Sequence, residues 1–201
     1  MGTSEPKGQT GPDPQGQPGK AERSDVPNWA VTRNVLRVSD VPAQAVSLNV
    51  EGRRVAGALQ GFGQLWQKTY KVHLTGAETT PREVVRVWKE EFPSFHPPQS
   101  CFYPSLSGVA PGEIMLINAS LQNMPVYTGV MVLYADEESF TVMAAEGLPE
   151  AGWNTFSSYQ DERIGSKVQS RTTAELRFRV LLGDGIPDVR FERTLGVSQA
   201  R

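Results

Sequence analysis

The fold is decided by residues 113–145, which read EIMLINASLQNMPVYTGVMVLYADEESFTVMAA. This stretch holds three apolar runs rich in β-branched and aromatic residues, with turn residues between them at positions 122–125 and 136–139. Such residues are favoured in strands because they pack well on a pleated, half-buried surface. The pattern therefore predicts consecutive antiparallel strands in a large sheet with at least one covered face.

The clearest helix lies upstream of this stretch and is predicted over residues 80–92. Thr80 is a favourable N-cap, Pro81 occupies the first helical position, and Glu83 completes a capping box. The helix is predicted to end at Phe92, because the residue before a proline is pushed out of the α region. One helical face is predicted to carry Val84, Val87 and Trp88.

Alternating patterns on both sides predict further strands. The first core strand is predicted over residues 66–76, with one face formed by Trp66, Lys68, Tyr70, Val72 and Leu74. Two later strands are predicted over residues 153–159 and 167–180, and three short N-terminal ones over residues 35–38, 46–50 and 53–56. A short helix is predicted over residues 188–195. One helix followed by a meander of strands indicates an antiparallel α+β fold.

Composition excludes several classes of protein. The chain has 201 residues, 38% of them hydrophobic, and a net charge of -2, so no strong field attracts it to nucleic acid or anionic lipid. No apolar run approaches the ~20 residues of a membrane-spanning helix, and the N-terminus lacks the apolar core of a signal peptide. Its single cysteine, Cys101, allows no intrachain disulfide. Together these features predict a cytoplasmic protein without a membrane span.

The order of elements resembles the helix-grip fold of the SRPBCC (START/Bet v 1-like) superfamily. Three pieces carry the resemblance: WQKTY at 66–70 with TTPREVVRVWK at 79–89, GVMVLYADEESF at 129–140, and EGLPEAGW at 146–153. The second and third also resemble an uncharacterised DUF1990-type branch. The resemblance implies a curved antiparallel sheet of about seven strands around a long C-terminal helix, with one clear helix after the first core strand and an apolar cavity between sheet and helix. The sequence departs from this pattern at its C-terminal helix, because only the short helix predicted over residues 188–195 is available.

The resemblance and the composition divide the chain into three segments. Residues 1–27 are rich in Gly, Pro, Gln and charged residues and have no aromatic side chain. They cannot bury enough apolar surface to offset the entropy of ordering and are predicted to be a disordered tail. Residues 28–65 are predicted to be an N-terminal covering segment, and residues 66–201 a helix-grip ligand-binding domain.

Large aromatic and methionine side chains near the helix and the sheet are the candidate ligand-binding residues, because they suit an adaptable apolar pocket. They are Trp88, Phe92, Phe95, Tyr103, Tyr127, Met131, Tyr134, Met143, Trp153 and Phe156, with Met115 as a further pocket candidate. The same residues are also what an ordinary close-packed core requires, and alternation alone does not assign each to a face.

Catalytic and metal-binding patterns are sparse. His96, in an aromatic and proline-rich loop, is the candidate acid or base, and a surface histidine is the alternative interpretation. His73 falls in the polar register of its strand, and Cys101 is expected to be a small buried residue. Two histidines and one cysteine, widely separated, form no metal-ligand cluster, so no metal and no cofactor are predicted.

Three functions remain open from the sequence. The favoured one is binding of a small hydrophobic ligand, lipid- or polyketide-like, in a cavity between sheet and helix without catalysis. The first alternative is an enzyme similar to polyketide cyclases and dehydratases, which the resemblance allows. The second is a protein-interaction module that uses an exposed face of the sheet. The predicted partners are a small apolar ligand and, as an alternative, a second copy of the chain.

Overall fold

The computed structural model describes residues 25–57, 63–74, 79–95, 99–121, 123–146, 148, 150–161 and 171–182. Within these ranges the chain forms one α-helix and seven strands. They are β1 Gln64–His73, α1 Pro81–Glu91, β2 Ser100–Tyr103, β3 Ile114–Leu121, β4 Met124–Ala135, β5 Ser139–Ala144, β6 Glu150–Asp161 and β7 Arg171–Leu182. Most of the predicted tail, the predicted helix at 188–195 and His96 lie outside the described residues.

The seven strands form a single antiparallel sheet in the order β1-β7-β6-β5-β4-β3-β2. From β2 to β7, neighbours in the sheet are neighbours along the chain, and β1 closes the far side by pairing with β7. Helix α1 connects β1 to the first strand of the meander at the opposite edge. The predicted α+β helix-grip arrangement, with one helix after the first core strand, is confirmed.

Helix α1 begins with the predicted capping box. The Thr80 hydroxyl accepts a hydrogen bond from the Glu83 backbone N–H at 3.3 Å, and the Thr80 N–H donates to the Glu83 carboxylate at 2.8 Å. The α-helix ends at Glu91, and a short 3-10 turn continues over Phe92–Phe95. Both termini therefore follow from local sequence chemistry.

The predicted apolar face of α1 is wrong at one position. Val84, Val85 and Trp88 are buried, whereas Val87 is 40% exposed. Viewed down the helix axis, Val85 and Val87 lie at equal angles on opposite sides of the direction midway between Val84 and Trp88. This follows because an α-helix turns about 100° per residue. Periodicity alone could not choose between them, and packing against the sheet turns Val85 inward.

The sheet has two faces that we name by what covers them. The inner face is the one on which α1 packs, and its core joins the helix to apolar residues of six strands, including Met115, Val132, Phe140, Phe156 and Leu176. The outer face is the opposite one. Over β3, β4 and the end of β5 it carries a second core, formed by Ile114, Leu116, Met131 and Ala145 together with Leu36 and Val50.

Residues 25–57 cover the outer face over β3, β4 and the end of β5 without adding a strand to the sheet. Their only ladder contacts with it within the described residues are isolated bridges, Trp29 with Tyr134 and Val55 with Ala145. The predicted strands at 35–38, 46–50 and 53–56 are therefore wrong. Leu48, in the middle of an alternating pattern, is 74% exposed, and Val50 ends a turn closed by its N–H on the Ser47 carbonyl at 2.9 Å.

Several strand ends differ from prediction. The turn between β3 and β4 is shorter than expected, because Met124 and Pro125 already belong to β4 and Asn123 adopts a left-handed conformation with φ of 64°. Strand β6 spans Glu150–Asp161 and so begins three residues before the strand predicted over residues 153–159. Cys101 lies on the four-residue strand β2 and is exposed, so the expectation that it is buried is wrong.

Candidate functional site

The position of α1 on the inner face is fixed by contacts with the turn between β4 and β5. Arg82 forms an ion pair with Glu137, and the Lys89 ammonium donates a hydrogen bond to the backbone carbonyl of Asp136. Partial burial lowers the pKa of Lys89, against the opposing effect of the Asp136 and Glu137 carboxylates. The two contacts hold the first and third turns of α1 against the turn between β4 and β5.

That turn is itself held by the Asp136 side chain. Its carboxylate accepts hydrogen bonds from the backbone N–H groups of Glu138 and Ser139 at 2.8 and 2.6 Å, and from the Tyr134 hydroxyl at 2.6 Å. Burial acts to raise the pKa of Asp136, but these hydrogen bonds outweigh it and the pKa is lowered. The residue is a structural anchor, since each of these donors belongs to the same turn or to the strand that enters it.

Aromatic rings fill the space between α1 and the sheet. Phe140 and Phe156 stack with centroids 4.6 Å apart, and Phe92 meets both edge-on at 5.5 and 5.2 Å. Trp88 approaches Phe156 at 5.8 Å, and Phe102 of β2 approaches Phe92 at 5.5 Å. Edge-to-face and stacked pairs of this kind are favourable beyond the area they bury, so this part of the inner face is close-packed core.

Two buried polar atoms on the inner face lack a hydrogen-bond partner among the described residues. They are the Thr128 hydroxyl oxygen on β4 and the Asn154 amide oxygen on β6. Register places Thr128 beside Ile117 and Asn154 beside Val142, in both cases among inner-face core residues. A buried polar atom without a partner costs roughly 1–3 kcal/mol, so each is a place where a ligand or a water would be stabilised.

The β1 side of the inner face carries a positive charge. Burial alternates along β1, so that Lys68, Tyr70 and Val72 are half-buried while the residues between them are exposed. The Lys68 ammonium lies over the ring of Trp66, 5.5 Å from its centroid. The prediction that these residues share one face is confirmed, and the lysine belongs to that face.

The outer face over β1, β7 and β6 is charged instead of apolar. The Glu175 carboxylate is 4% exposed and pairs with the Lys71 ammonium at 3.0 Å and with Arg177. The Lys71 ammonium also contacts the Tyr159 hydroxyl at 2.9 Å. Burial acts to raise the pKa of Glu175, but the two cations lower it overall. The charges of this cluster are paired with one another on the side of the sheet away from α1, and the buried Arg177 Nε is left without a hydrogen-bond partner among the described residues.

The structure separates the ten candidate ligand-binding residues between the two faces. Those on the inner face are Trp88, Phe92, Phe95 and Phe156, joined there by Met115. Tyr103 and Met131 belong to the outer core, and Tyr134 contacts Trp29 edge-on at 4.8 Å on that side. Strand alternation places Tyr127, Met143 and Trp153 on the outer face as well. The ten therefore do not line one site, and their binding role stays a prediction.

The remaining candidates are placed as follows. His96 lies outside the described residues. His73 is exposed on the outer face, where its ring nitrogen lies 2.9 Å from the Thr173 hydroxyl.

Among the residues that the structure describes, no group of three or more histidine, cysteine, aspartate or glutamate side chains could hold a metal ion. Within the same ranges, no helix is long and apolar enough to cross a membrane.

Thr128 and Asn154 were missed by sequence reasoning. Asn154 lies two residues from Phe156 along one strand, and the same alternation that predicts Phe156 on the inner face also places Asn154 there. The available signal was thus a polar residue in an apolar register. For Thr128 the signal was weaker, because threonine is common on either face of a strand.

Fold and site together define an α+β protein of the helix-grip type, with an apolar inner face and a few inward polar groups. No family model and no curated protein matches the sequence. Among solved structures, Ara h 8.0201 is 10% identical, with a TM-score of 0.39 over 66% of this chain and 88% of that one. The major latex-like protein 151 of Panax ginseng is 12% identical, with a TM-score of 0.38 over 65% and 89%.

Proposed function

We propose that this protein binds a small, mostly apolar molecule on the inner face, between the sheet and α1, without catalysing a reaction on it. The observation that supports this proposal is the pair of buried polar atoms on Thr128 and Asn154, which have no partner among the described residues. Ligand sites in proteins are mostly apolar, with a small number of polar groups that orient the ligand.

The charged groups of the outer face do not offer an equivalent site. Lys71, Glu175 and Arg177 are paired with one another there, and the outer face of β3 and β4 is covered by residues such as Leu36 and Val50. The inner face instead combines close-packed aromatic rings near α1 with the two buried polar atoms on β4 and β6. A lipid- or polyketide-like ligand and a cytoplasmic location, both predicted from sequence, are part of the same proposal.

The proposal is tested with N-phenyl-1-naphthylamine, an apolar fluorescent probe that carries one N–H donor. We expect saturable binding to the wild-type protein and binding about fivefold weaker in Asn154→Leu, since the lost hydrogen bond contributes about 1 kcal/mol. Thr155→Val is the matched control, because Thr155 is the next residue of β6 and its hydroxyl pairs with that of Thr141 at 3.0 Å.

Two results count against the proposal. One is the absence of saturable binding by the folded wild-type protein. The other is equal weakening by Asn154→Leu and Thr155→Val, which would show that the substitutions act through stability alone. Native mass spectrometry of protein purified from its own host supplies an independent measurement, in which an added mass retained by the wild type and lost on unfolding supports the proposal.

A further inference from the structure

We infer that the molecule bound on the inner face is an uncharged diol. Its apolar body lies over Ala144 and Gly152, and it carries a hydroxyl group at each end, one bonded to Thr128 and the other to Asn154. This inference rests on the proposed function and narrows its ligand to one chemical class. It is carried by two small residues of the sheet and by the buried polar atoms on either side of them.

The two small residues lie side by side on the inner face. Ala144 of β5 and Gly152 of β6 are neighbours because the register between these strands runs up to the residue just before Ala144 and the residue just after Gly152. Both are buried, so a ligand body over them is shielded from water. Phe140 and Phe156, whose rings fill the space beneath α1, lie four residues away along the same strands. An apolar body fits where the sheet's own side chains contribute so little volume.

Thr128 borders these small residues on the β4 side. It lies two residues before Val130, the register partner of Ala144, and its pairing with Ile117 places it on the inner face. The side chain is 3% exposed, and its hydroxyl has no hydrogen-bond partner among the described residues. Because a buried hydroxyl without a partner is costly, it favours a ligand group that forms a hydrogen bond with it.

Asn154 borders the small residues on the opposite side. It lies two residues after Gly152 on β6 and beside Val142 of β5. Its amide oxygen is buried and has no hydrogen-bond partner among the described residues. An amide oxygen only accepts hydrogen bonds, so the ligand must present a donor at this point. A hydroxyl supplies that donor without adding a charge.

The two polar residues lie on a diagonal of the sheet with Ala144 at its middle. Thr128 and Asn154 are separated by two strand spacings across the sheet, ~10 Å, and by four residues along the strands, ~13 Å, so their backbones are about 16 Å apart. An extended two-ring molecule with a hydroxyl at each end is long enough to join two side chains at this separation. One hydroxyl for each protein group is the simplest ligand that satisfies both.

The neighbours of both residues favour a ligand without charge. The described residues beside Thr128 and Asn154 in the register, Ile117 and Val142, are apolar, and so is Phe156 two residues further along β6. A charged group costs far more to bury among such side chains than a hydroxyl does. The site therefore selects hydroxyl groups over carboxylate or ammonium groups.

The test compares three probes by their own fluorescence at neutral pH, where a phenol keeps its proton. Biphenyl-4,4′-diol has a hydroxyl at each end, 4-hydroxybiphenyl has one, and 4,4′-dimethoxybiphenyl has no donor. Each probe is titrated into wild type, Thr128→Val and Asn154→Leu. Thr141→Val and Thr155→Val are the matched controls, because these two hydroxyls pair with each other at 3.0 Å on the outer face.

We expect the wild type to bind the diol about fivefold more tightly than 4-hydroxybiphenyl, a factor typical of one hydrogen bond. The dimethoxy compound should bind more weakly than either. Thr128→Val and Asn154→Leu should each abolish the advantage of the diol, because the one remaining protein group holds only one hydroxyl. Both controls should retain it. Thermal midpoints check that each variant is folded, and the comparison of the three probes on the wild type needs no variant.

The outcomes separate this inference from the proposed function. If the protein binds N-phenyl-1-naphthylamine but binds the diol and 4-hydroxybiphenyl equally, the inference fails and the proposed function stands. The inference also fails if either Thr128→Val or Asn154→Leu keeps the advantage of the diol, or if the controls lose it as well. If neither the biphenyls nor N-phenyl-1-naphthylamine bind the folded protein, both proposals fail. An advantage that is lost in both variants and kept in both controls supports the inference.

Discussion

Phe140 and Phe156 stack on the inner face with ring centroids 4.6 Å apart and ring planes inclined by 7°. Their strands, β5 and β6, are neighbours, and the two residues are directly paired in the register. Phe92 then meets both rings edge-on. Because Phe92 directly follows α1, this pair of rings is the point at which the sheet and the helix terminus share one core.

The first prediction concerns this contact. Phe140 is fully buried, so Phe140→Ala should lower the free energy of unfolding by about 3–5 kcal/mol, the range for truncating a buried aromatic residue. Urea denaturation followed by tryptophan fluorescence measures the loss. The exposed Leu106 provides the control, and Leu106→Ala should change stability by less than about 0.5 kcal/mol. Similar losses in both variants would contradict the packing described here.

A second prediction tests which face of α1 is buried. Val85 is fully buried and Val87 is 40% exposed, although both flank the same apolar stripe. Val85→Ala should therefore cost about 1–2 kcal/mol more than Val87→Ala. The substitutions have the same effect on helix propensity, so the difference between their urea midpoints reports burial alone. Equal midpoints would mean that the helix is not rotated as the structure shows.

The two valines show which features of the fold can be predicted from the local sequence and which cannot. The caps and ends of α1 depend on neighbours within four residues, such as Thr80 with Glu83, and local chemistry predicts them correctly. The alternation of β1 likewise depends only on the period of a strand. The choice between Val85 and Val87 depends on where Phe140 and Phe156 lie, which is information distant in the sequence.

The same limit explains the errors in residues 25–57. Alternating apolar residues such as Val46, Leu48 and Val50 are typical of a strand. Here Val50 is buried against Leu116 and Met131 of the outer face, while Leu48 is exposed to solvent. At Gly129 the fit is so close that an added Cβ would lie 2.7 Å from the Met115 carbonyl and 3.1 Å from Val50. Such complementarity has no local sequence signal.

The candidate site was predictable only in part, for a related reason. Tyr103, Met131 and Tyr134 have the residue types of an apolar pocket, but they lie on the outer face. Residue type therefore could not separate pocket from core. Asn154 has a sequence signal in its alternation with Phe156, whereas Thr128 stands out only after the register shows that it lies beside Ile117.

A third prediction follows from Thr128, which is 3% exposed with a hydroxyl that has no described partner. In ligand-free protein, Thr128→Val should raise the free energy of unfolding by about 1 kcal/mol, because the isosteric methyl group needs no hydrogen bond. Thr141→Val is the control. The Thr141 hydroxyl pairs with Thr155 at 3.0 Å, so that substitution should lower stability by a similar amount. Changes of the same sign in both variants would contradict an unpartnered Thr128.

The last prediction concerns the pH dependence of stability through Glu175. Its side chain is almost fully buried between Lys71 and Arg177, and despite burial its pKa is lowered from the ordinary value of 4.5. A carboxyl with a lowered pKa in the folded state contributes stability that is fully present above its unfolded pKa. That contribution is lost as the pH falls through the folded pKa, because the folded protein must then take up a proton.

Glu175→Gln should therefore be less stable than wild type by about 2 kcal/mol at neutral pH, the size of a hydrogen bond to a charged group. The difference should shrink steadily as the pH falls below 4.5, the ordinary value from which the Glu175 pKa is lowered. Guanidinium denaturation at a series of pH values measures it. Glu90→Gln, which removes an exposed carboxylate that pairs with Arg86 on α1, should show little difference from wild type at any pH. The contrary result is that the free energies of unfolding of wild type and Glu175→Gln differ by the same amount at neutral and at acidic pH. That result would mean that the lost contacts are steric and that the Glu175 charge does not stabilise the fold.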